Sequence, residues 1–211
     1  ARLLRAIDAV VPVEYLSLVD FRRDTPELVE GSACHAHDRD VVAECFAIYR
    51  RSYWRSDAVV RLADRVARRP AREVAVLHCR ADELPVAGWR NDIYVRERLT
   101  ERFTLLHAPA PGAVQAIHLY RDERQGLFQP DEIDRLLGLA PLLRQAHQAA
   151  LATQAVAADR AAQIAQAQQK LRRLAPALSP RESQVVARIA CGLGADGIAA
   201  DLDVAPSTVV T

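Results

Sequence analysis

The sequence predicts an α+β fold with an antiparallel sheet, followed by a long helix and a small all-α domain. Over residues 1–150, strand-like and helix-like segments alternate in groups, the order typical of an antiparallel sheet with helices around it. Between Pro141 and Pro176 there is neither glycine nor proline, and the frequent Ala and Gln predict one long helix. The segment that follows contains two short helical patterns joined by a turn.

The first elements are a short helix, two strands and a longer helix. The aromatic and β-branched residues of "EYLSLVDFR" favour a strand, and "TPELVEG" predicts a second, short one. After the loop "SACHAHDRD", a helical pattern runs from Val41 to Arg69 and ends at Pro70, which cannot continue a helix. Its apolar residues recur at helical spacing on one face: Val42, Phe46, Tyr49, Tyr53, Val60 and Ala63.

Three more strands and two helices complete this part of the chain. The strands are predicted at "EVAVLHCR", "RFTLLHAP" and "AVQAIHLYR", the last two joined by the turn "APAPGA". "NDIYVRERL" is helical, and another helix begins at Pro130 and Asp131. Along the long helix five apolar residues recur at intervals of seven, the spacing of a coiled-coil seam: Leu143, Ala150, Ala157, Ile164 and Leu171. This stripe predicts a homodimer; the alternative is that it packs on the chain's own sheet.

Composition excludes several classes of protein. Hydrophobic residues make up 50% and charged residues 26%, as in a globular protein rather than a disordered one. No run approaches the roughly 18 apolar residues of a membrane span, and four scattered cysteines indicate reduced thiols in a cytoplasm. The net charge of +1 means that any nucleic-acid contact must come from a local patch. We find no GxSxG, P-loop or GxGxxG motif, so we expect neither an enzyme nor a cofactor.

The C-terminal stretch begins with a helix start signal. Ser179 at the N-cap, Pro180 at the first helical position and Glu182 at the third form a capping box. An apolar stripe of Val185, Val186, Ile189 and Ala190 follows, and Gly192 with Gly194 ends the helix. In the second helix Ile198, Ala199 and Leu202 are predicted to face inward, and Ser207 with Thr208 caps a third.

This stretch resembles the first two-thirds of the LuxR-type helix-turn-helix domain of bacterial transcription regulators. The matching residues are Leu178 to Glu182, Gly192, Ile198 with Ala199, and Ser207 to Val209. The resemblance implies a DNA-binding regulator, and we expect the rest of the third helix and a fourth helix to lie beyond this sequence. Glu182 is then expected to be a partner within the domain rather than a DNA contact.

DNA contacts are expected from hydroxyl groups at the start of the third helix: Ser207, Thr208 and Thr211. The alternative for Ser207 is that it only caps the helix. Residues 179–211 hold two arginines against four acidic residues, a net of −2. Because affinity for DNA depends largely on cations, we expect most of the phosphate contacts beyond Thr211.

Residues 1–145 resemble a GAF/PAS-like sensor domain of some LuxR-type regulators. "AIHLYRDERQGLFQPDEIDRLLGLAPLLRQA" resembles the last strand and closing helix of such domains, and "YRRSYWRSDAVVRLA" is similar to the Tyr…Tyr…Asp-Pro pattern of the acyl-homoserine-lactone-binding family. Tyr53 and Asp57 keep that spacing, Tyr49 is one residue too near, and Ala58 replaces the proline. Cys45 or Phe46 stands where the family usually has a tryptophan.

These residues predict a site for a small-molecule effector. The helical pattern places Tyr49, Tyr53, Trp54 and Asp57 within just over two turns. Two phenols and a carboxylate beside an apolar sheet could clasp an amide-bearing molecule, with Asp57 accepting from its N–H. Trp89 and Tyr94 would supply a further wall. In the alternative the aromatics belong to the core, and Asp57 caps a helix or pairs with Arg61.

The loop "CHAHD" offers Cys34, His35, His37 and Asp38, which are metal-ligating residue types. Metal sites separate their ligand pairs by a helix or a turn, whereas these four lie in one loop, so we expect no metal and take Asp38 as a helix N-cap.

The sequence therefore predicts a cytoplasmic homodimeric transcription regulator. Its sensor domain covers residues 1–145, a linker and dimerisation helix covers 146–175, and an incomplete helix-turn-helix domain covers 176–211. The alternative function is a dimerisation or protein-interaction module that binds no small molecule and binds DNA constitutively.

Overall fold

The computed structural model describes residues 2–21, 25–68, 74–110 and 112–210. The chain forms two compact units, residues 1–151 and 152–211. The first unit is α+β, which confirms the predicted fold class. Its strands are β1 (Tyr15–Asp20), β2 (Glu27–Ala33), β3 (Val74–Arg80), β4 (Leu99–Ala110) and β5 (Ala113–Asp122).

The five strands form one antiparallel sheet in the order β2-β1-β5-β4-β3. Each of the five segments predicted as a strand is therefore a strand, because each contains enough apolar and β-branched residues to pack in a sheet. In the pairing of β1 with β5, Leu18 lies opposite Ile117. All residues of β1 are buried, which follows from its position inside the sheet with helices on both faces.

The helices are α1 (Arg2–Asp8), α2 (Val41–Ser52), α3 (Ala58–Val66), α4 (Ala87–Trp89), α5 (Pro130–Leu174), α6 (Pro180–Ala190), α7 (Ala195–Asp201) and α8 (Ser207–Val210). A 3₁₀ turn covers Trp54–Ser56, another covers Ala81–Glu83, and α4 continues as a π-helical turn over Arg90–Val95. Within the described residues, no helix is long and apolar enough to cross a membrane.

The two faces of the sheet pack against different helices. Leu16 and Leu18 of β1 join one core with residues of α1 and α5. The alternate residues Tyr15 and Val19 join two further cores, which contain residues of α2, α3 and the segment around α4. Because successive side chains of a strand point to opposite faces, the alternation within "YLSLVD" separates the packing of α5 from that of α2.

The single helix predicted from Val41 to Arg69 is wrong, because the chain breaks between α2 and α3. Asp57 has an extended backbone there and is the N-cap of α3; its side chain accepts a hydrogen bond from the Val59 amide at 3.0 Å. The apolar spacing continues across the break, so periodicity alone did not reveal it. Pro70, predicted to end the helix, lies outside the described residues.

The predicted coiled-coil stripe on α5 divides between two environments. Leu143 is 1% exposed, and both it and Ala150 pack in the core of the first unit, so this part of the stripe lies on the chain's own sheet, as the alternative stated. In the second unit Ile164 is buried and Ala157 is exposed. The homodimer stays a prediction.

The second unit contains the predicted capping box. The Ser179 hydroxyl accepts from the Glu182 amide at 3.2 Å, and the Glu182 carboxylate accepts from the Ser179 amide at 2.8 Å. Gly192, with φ of 81°, follows the last turn of α6, where a left-handed residue lets the helix end.

The buried face of α6 is not the face of its apolar stripe. The buried residues are Ser183 and Ala187, whereas Ile189 is 58% exposed. Val185 and Val186 are half-buried and Ala190 is exposed. Small residues four apart can let a neighbouring helix approach closely, and the apolar pattern does not distinguish that face from the valine face. In α7 Ile198 and Ala199 are buried as predicted, and Leu202 is half-buried.

Candidate functional site

A cavity of about 50 Å³ lies between the sheet and the α2–α4 side of the first unit. From β1 it is lined by Tyr15, Ser17 and Val19, the residues that point away from α5. Six aromatic side chains surround it: Tyr15, Phe46, Tyr49, Trp89, Tyr94 and Tyr120. Four polar or charged residues also line it: Ser17, Glu97, Arg102 and His118.

The volume limits what the cavity can hold in this conformation. A single water requires about 10–15 Å³ of such space, so the cavity admits about four waters or one compact organic molecule. Pockets for drug-sized ligands typically measure roughly 300–1,000 Å³. The mainly apolar and aromatic lining favours an apolar body, and the polar residues would determine which functional groups it carries.

A buried ion pair lies beside the cavity. Arg102 on β4 donates from Nη1 to Asp57 Oδ2 at 2.7 Å and from Nη2 to Asp57 Oδ1 at 2.8 Å. The side chains are only 3% and 1% exposed. Tyr49 donates its hydroxyl to Asp57 Oδ2 at 2.9 Å. This network joins the break between α2 and α3 to the sheet.

The network keeps its members in defined protonation states. Burial alone would raise the pKa of Asp57, but the charge and hydrogen bonds of Arg102 outweigh burial and hold that pKa below its ordinary value. Burial, followed by the negative charge of Asp57, raises the pKa of Tyr49 well above its ordinary value. At neutral pH Asp57 is therefore a carboxylate, and Tyr49 keeps its proton.

Two buried donors at the cavity lack partners within the described residues. They are the hydroxyl of Tyr94 and the Nε–H of Arg102. Tyr94 is 1% exposed and Arg102 is 2% exposed, so water at the protein surface does not solvate them. Because most buried polar groups are hydrogen-bonded, two unsatisfied donors in one cavity require an explanation.

Three of the predicted ligand-binding residues line the cavity and three do not. Tyr49, Trp89 and Tyr94 belong to the lining, whereas Tyr53, Trp54 and Asp57 do not. The ring of Tyr53 stacks on Trp89 with centroids 6.3 Å apart, and its hydroxyl donates to Asp92. Arg55 lies over the ring of Trp54 at 4.5 Å. That the three outer residues contact a ligand stays a prediction.

Asp57 follows the alternative interpretation in one respect and differs from it in another. It caps a helix, as that interpretation held, but its ion pair is with Arg102 rather than with Arg61. Sequence reasoning did not single out Arg102, Tyr120 or His118, all of which line the cavity. An arginine in the strand "RFTLLHAP", where most of the other residues are apolar, was the available signal, since such a residue requires a buried partner.

The loop between β2 and α2 is anchored next to the cavity. Its two histidines converge on the fully buried Glu14: His35 Nδ1 lies 2.7 Å and His37 Nε2 lies 3.8 Å from the carboxylate. Arg39 pairs with the cavity residue Glu97 at 2.7 Å. Among the described residues, no group of three or more His, Cys, Asp or Glu side chains is arranged to hold a metal ion.

The helix cap predicted in this loop is wrong by two residues. Asp40, rather than Asp38, is the N-cap of α2, and its side chain accepts from the Ala43 amide. Either aspartate can cap, and the observed helix begins at Val41, which places Asp40 at the N-cap.

The residues predicted to contact DNA lie at the end of the second unit. Ser207 and Thr208 begin α8 and are exposed, and Thr211 lies outside the described residues. Arg188 is already engaged, because its Nε donates to Asp201 at 2.5 Å. Glu182 is held within the capping box, which agrees with its expected role inside the domain.

No family model matches this chain, and no curated protein matches it. Among solved structures, the LBD domain of VqsR from Pseudomonas aeruginosa is 14% identical with a TM-score of 0.50, over 71% of this chain and 83% of that chain. The N-acylhomoserine lactone dependent LuxR family transcription factor CepR2 from Burkholderia cenocepacia is 18% identical with a TM-score of 0.46, over 70% and 79%. A GAF domain/HD domain protein from Geobacter sulfurreducens is 12% identical with a TM-score of 0.46, over 72% and 90%. Over the part of the chain that this comparison covers, the α+β fold is similar to that of the VqsR LBD domain.

Proposed function

We propose that the chain is a cytoplasmic DNA-binding transcription regulator whose N-terminal domain, residues 1–145, senses a small molecule. A linker helix over residues 146–175 joins this domain to a helix-turn-helix domain that begins at residue 176. The proposal is that of a binding protein and not of an enzyme. The cavity carries it: a space lined by aromatic side chains, two of whose lining residues, Tyr94 and Arg102, have buried donors without a partner among the described residues, has the features of a small-molecule site.

The helix-turn-helix assignment is supported by the pattern of the second unit. A capped helix, a glycine turn and a second helix lead to α8, where Ser207 and Thr208 are exposed. In helix-turn-helix proteins the N-terminal residues of the recognition helix contact base edges. In this proposal α8 begins that helix, and the Ser207 and Thr208 hydroxyls contact DNA.

The homodimer is supported by apolar residues that α5 leaves exposed. Leu142 is 56% exposed and Val156 is 60% exposed. Two heptads of sequence separate them, which is the periodicity of a coiled-coil seam. In this proposal they contribute to the contact with a second copy, one position away from the predicted stripe. A ligand in the cavity would then act by shifting the population of dimer geometries that match DNA half-sites.

The same exposed residues favour a second candidate function. A protein-interaction module would use Leu142 and Val156 against a different protein and would bind DNA constitutively. In that case the cavity would hold only water, and its two donors would be satisfied by it. The two candidates differ in whether the protein carries a small molecule in the cell.

Native mass spectrometry of the full-length protein, freshly purified from its own host, tests the sensing function. We expect a dimer with a reproducible additional mass that is lost on denaturation. A dimer of bare polypeptide mass under several growth conditions would favour the interaction module. A monomer at micromolar concentration would contradict the proposed dimer.

A further inference from the structure

We propose that the cavity recognises a compact neutral carbonyl compound, which accepts hydrogen bonds from the Tyr94 hydroxyl and the Arg102 Nε–H. This inference rests on the proposed sensing function and specifies its ligand class. It differs from the recognition expected from the sequence, in which Asp57 accepts a hydrogen bond from an amide N–H of the ligand.

The acceptor capacity of Asp57 is already used. Its Oδ1 accepts from Arg102 Nη2 at 2.8 Å and from the Val59 amide at 3.0 Å. Its Oδ2 accepts from Arg102 Nη1 at 2.7 Å and from the Tyr49 hydroxyl at 2.9 Å. A carboxylate offers about four lone-pair sites, so none remains for a ligand N–H.

The carboxylate that does line the cavity is also engaged. Glu97 accepts from Arg39 Nη2 at 2.8 Å and 2.7 Å, and from Arg96 Nε at 2.7 Å. Its side chain is 7% exposed. A ligand that required a carboxylate acceptor would have to break one of these pairs, which would cost the free energy of separating buried or half-buried charges.

Unlike these carboxylate acceptors, two hydrogen-bond donors at the cavity are not used within the described residues. Tyr94 and Arg102 have buried donor atoms without partners in the described residues, and both residues line the cavity. Burial raises the pKa of Tyr94 well above its ordinary value, so its hydroxyl keeps the proton that it can donate. A carbonyl oxygen has two lone pairs, so its acceptor capacity matches these two donors. The free energy otherwise lost to an unsatisfied buried donor then contributes to binding.

The charges around the cavity favour a neutral acceptor over an anion. The positive charge of Arg102 is balanced by Asp57, and Glu97 is balanced by its two arginines. A carboxylate ligand would bring an uncompensated negative charge next to Asp57 in a desolvated space, which is unfavourable. A ketone, an ester or a lactone supplies the acceptor without that charge.

Three probes of matched shape separate the possible modes of recognition. Cyclopentanone has the acceptor, methylenecyclopentane has the same shape without it, and 2-pyrrolidinone has the acceptor and an N–H. Each is titrated into the full-length protein, and the indole N–H signal of the cavity residue Trp89 is followed by NMR. We expect cyclopentanone to bind at least about tenfold tighter than methylenecyclopentane, since the acceptor satisfies buried donors. We expect 2-pyrrolidinone to bind no tighter than cyclopentanone.

The Tyr94→Phe variant tests which donor acts. We expect it to weaken cyclopentanone binding about fivefold or more, because one buried donor is removed, and to leave methylenecyclopentane binding unchanged. The variant removes a hydroxyl without a partner, so its melting temperature should not fall. A loss of binding for both probes would overturn the assignment of Tyr94.

The outcomes for the native protein distinguish two failures. Equal affinities for the ketone and the alkene, or tighter binding of 2-pyrrolidinone, would overturn the carbonyl inference and leave the sensing function standing. If none of the three probes shifts the Trp89 signal at any concentration up to solubility, the cavity admits no compact ligand. The proposed sensing function then fails together with the inference.

Discussion

Asp57 and Arg102 form a buried ion pair with two parallel hydrogen bonds, at 2.7 Å and 2.8 Å. Asp57 stands at the break between two helices, and Arg102 stands on β4 within the sheet. The same carboxylate caps α3 and accepts a hydrogen bond from the Tyr49 hydroxyl. One side chain therefore caps α3, holds Tyr49 of α2 and fixes both helices to the sheet beside the cavity.

The ion pair predicts a strongly non-additive mutant cycle. We expect Arg102→Met to lower the free energy of unfolding by about 3–5 kcal/mol, because it leaves the Asp57 charge buried without compensation. Asp57→Asn should lower the free energy of unfolding by a similar amount, because it leaves the Arg102 charge without its partner. The asparagine can still cap α3. The double variant should be less destabilised than the sum of the two single variants by about 2 kcal/mol or more.

Urea unfolding of the four proteins measures this cycle. Exposed ion pairs contribute less than about 1 kcal/mol. If each single variant lowered the free energy of unfolding by less than that, the result would contradict a buried ion pair. Additive losses would show that the two charges act independently.

Two glycines predict opposite responses to the same substitution. A Cβ added to Gly31 on β2 would lie 2.6 Å from Val42 Cγ1 and 2.8 Å from Val42 Cβ. Because a β-branched side chain cannot move away easily, Gly31→Ala should lower the free energy of unfolding by about 1–3 kcal/mol. Gly138→Ala in α5 would meet no atom within 4 Å and should raise it by about 0.5–1 kcal/mol. Urea titrations of both variants check the contrast, and equal effects would contradict the close packing of β2 on α2.

Buried histidines predict a loss of stability in mild acid. Burial, followed by the positive charge of Arg144, lowers the pKa of His107 to about 4. Burial, followed by the positive charge of Arg102, lowers the pKa of His118 to about 3. In the unfolded chain both titrate near 6.5, so between about pH 6.5 and 4 the unfolded state binds protons that the folded state does not. The stability is fully present above this window and is lost as the pH falls through it.

The contacts of His107 and His118 guide the choice of a variant that tests this loss of stability. The ring of His107 meets His147 of α5 edge-on, with centroids 5.9 Å apart, and His118 Nδ1 lies 2.9 Å from the Thr104 hydroxyl. We expect the free energy of unfolding to fall by about 3 kcal/mol or more from pH 6.5 to pH 4. His107→Gln should reduce that fall without abolishing it. Denaturant titrations across the range measure the slope, and a constant stability would contradict neutral burial.

The proposed DNA binding predicts a specific salt dependence. Within α6 and α7, Arg188 is engaged by Asp201, whereas Arg172 and Arg173 at the end of α5 are exposed. We expect Arg172 and Arg173 to neutralise one DNA phosphate each. The double variant Arg172→Gln/Arg173→Gln should then reduce the slope of log affinity against log salt concentration by about 2. The matched control, Arg61→Gln/Arg65→Gln, removes the same charge from exposed positions of α3 and should leave the slope unchanged. Fluorescence anisotropy of the full-length protein on duplex DNA measures both, and equal slopes for the two double variants would refute a local contact.

The local elements could be predicted because their causes lie close together in the chain. The capping box of Ser179 and Glu182 needs only two residues three apart, and the left-handed turn at Gly192 needs only one. The strands followed from the alternation and composition of short segments. At Asp57 the same reasoning failed, because an apolar spacing that continues through a break has the same appearance as one continuous helix.

The sequence by itself determined the α+β class, the strands and the capped first helix of the second unit, since propensity, capping and periodicity are properties of neighbouring residues. Only the tertiary structure decided that Asp57 binds Arg102, 45 residues away, and that no described residue pairs with the Tyr94 hydroxyl or the Arg102 Nε–H. It also decided which part of the α5 stripe lies on the sheet. These outcomes depend on which distant side chains compete for the same buried partner, and no short segment of the chain contains that information.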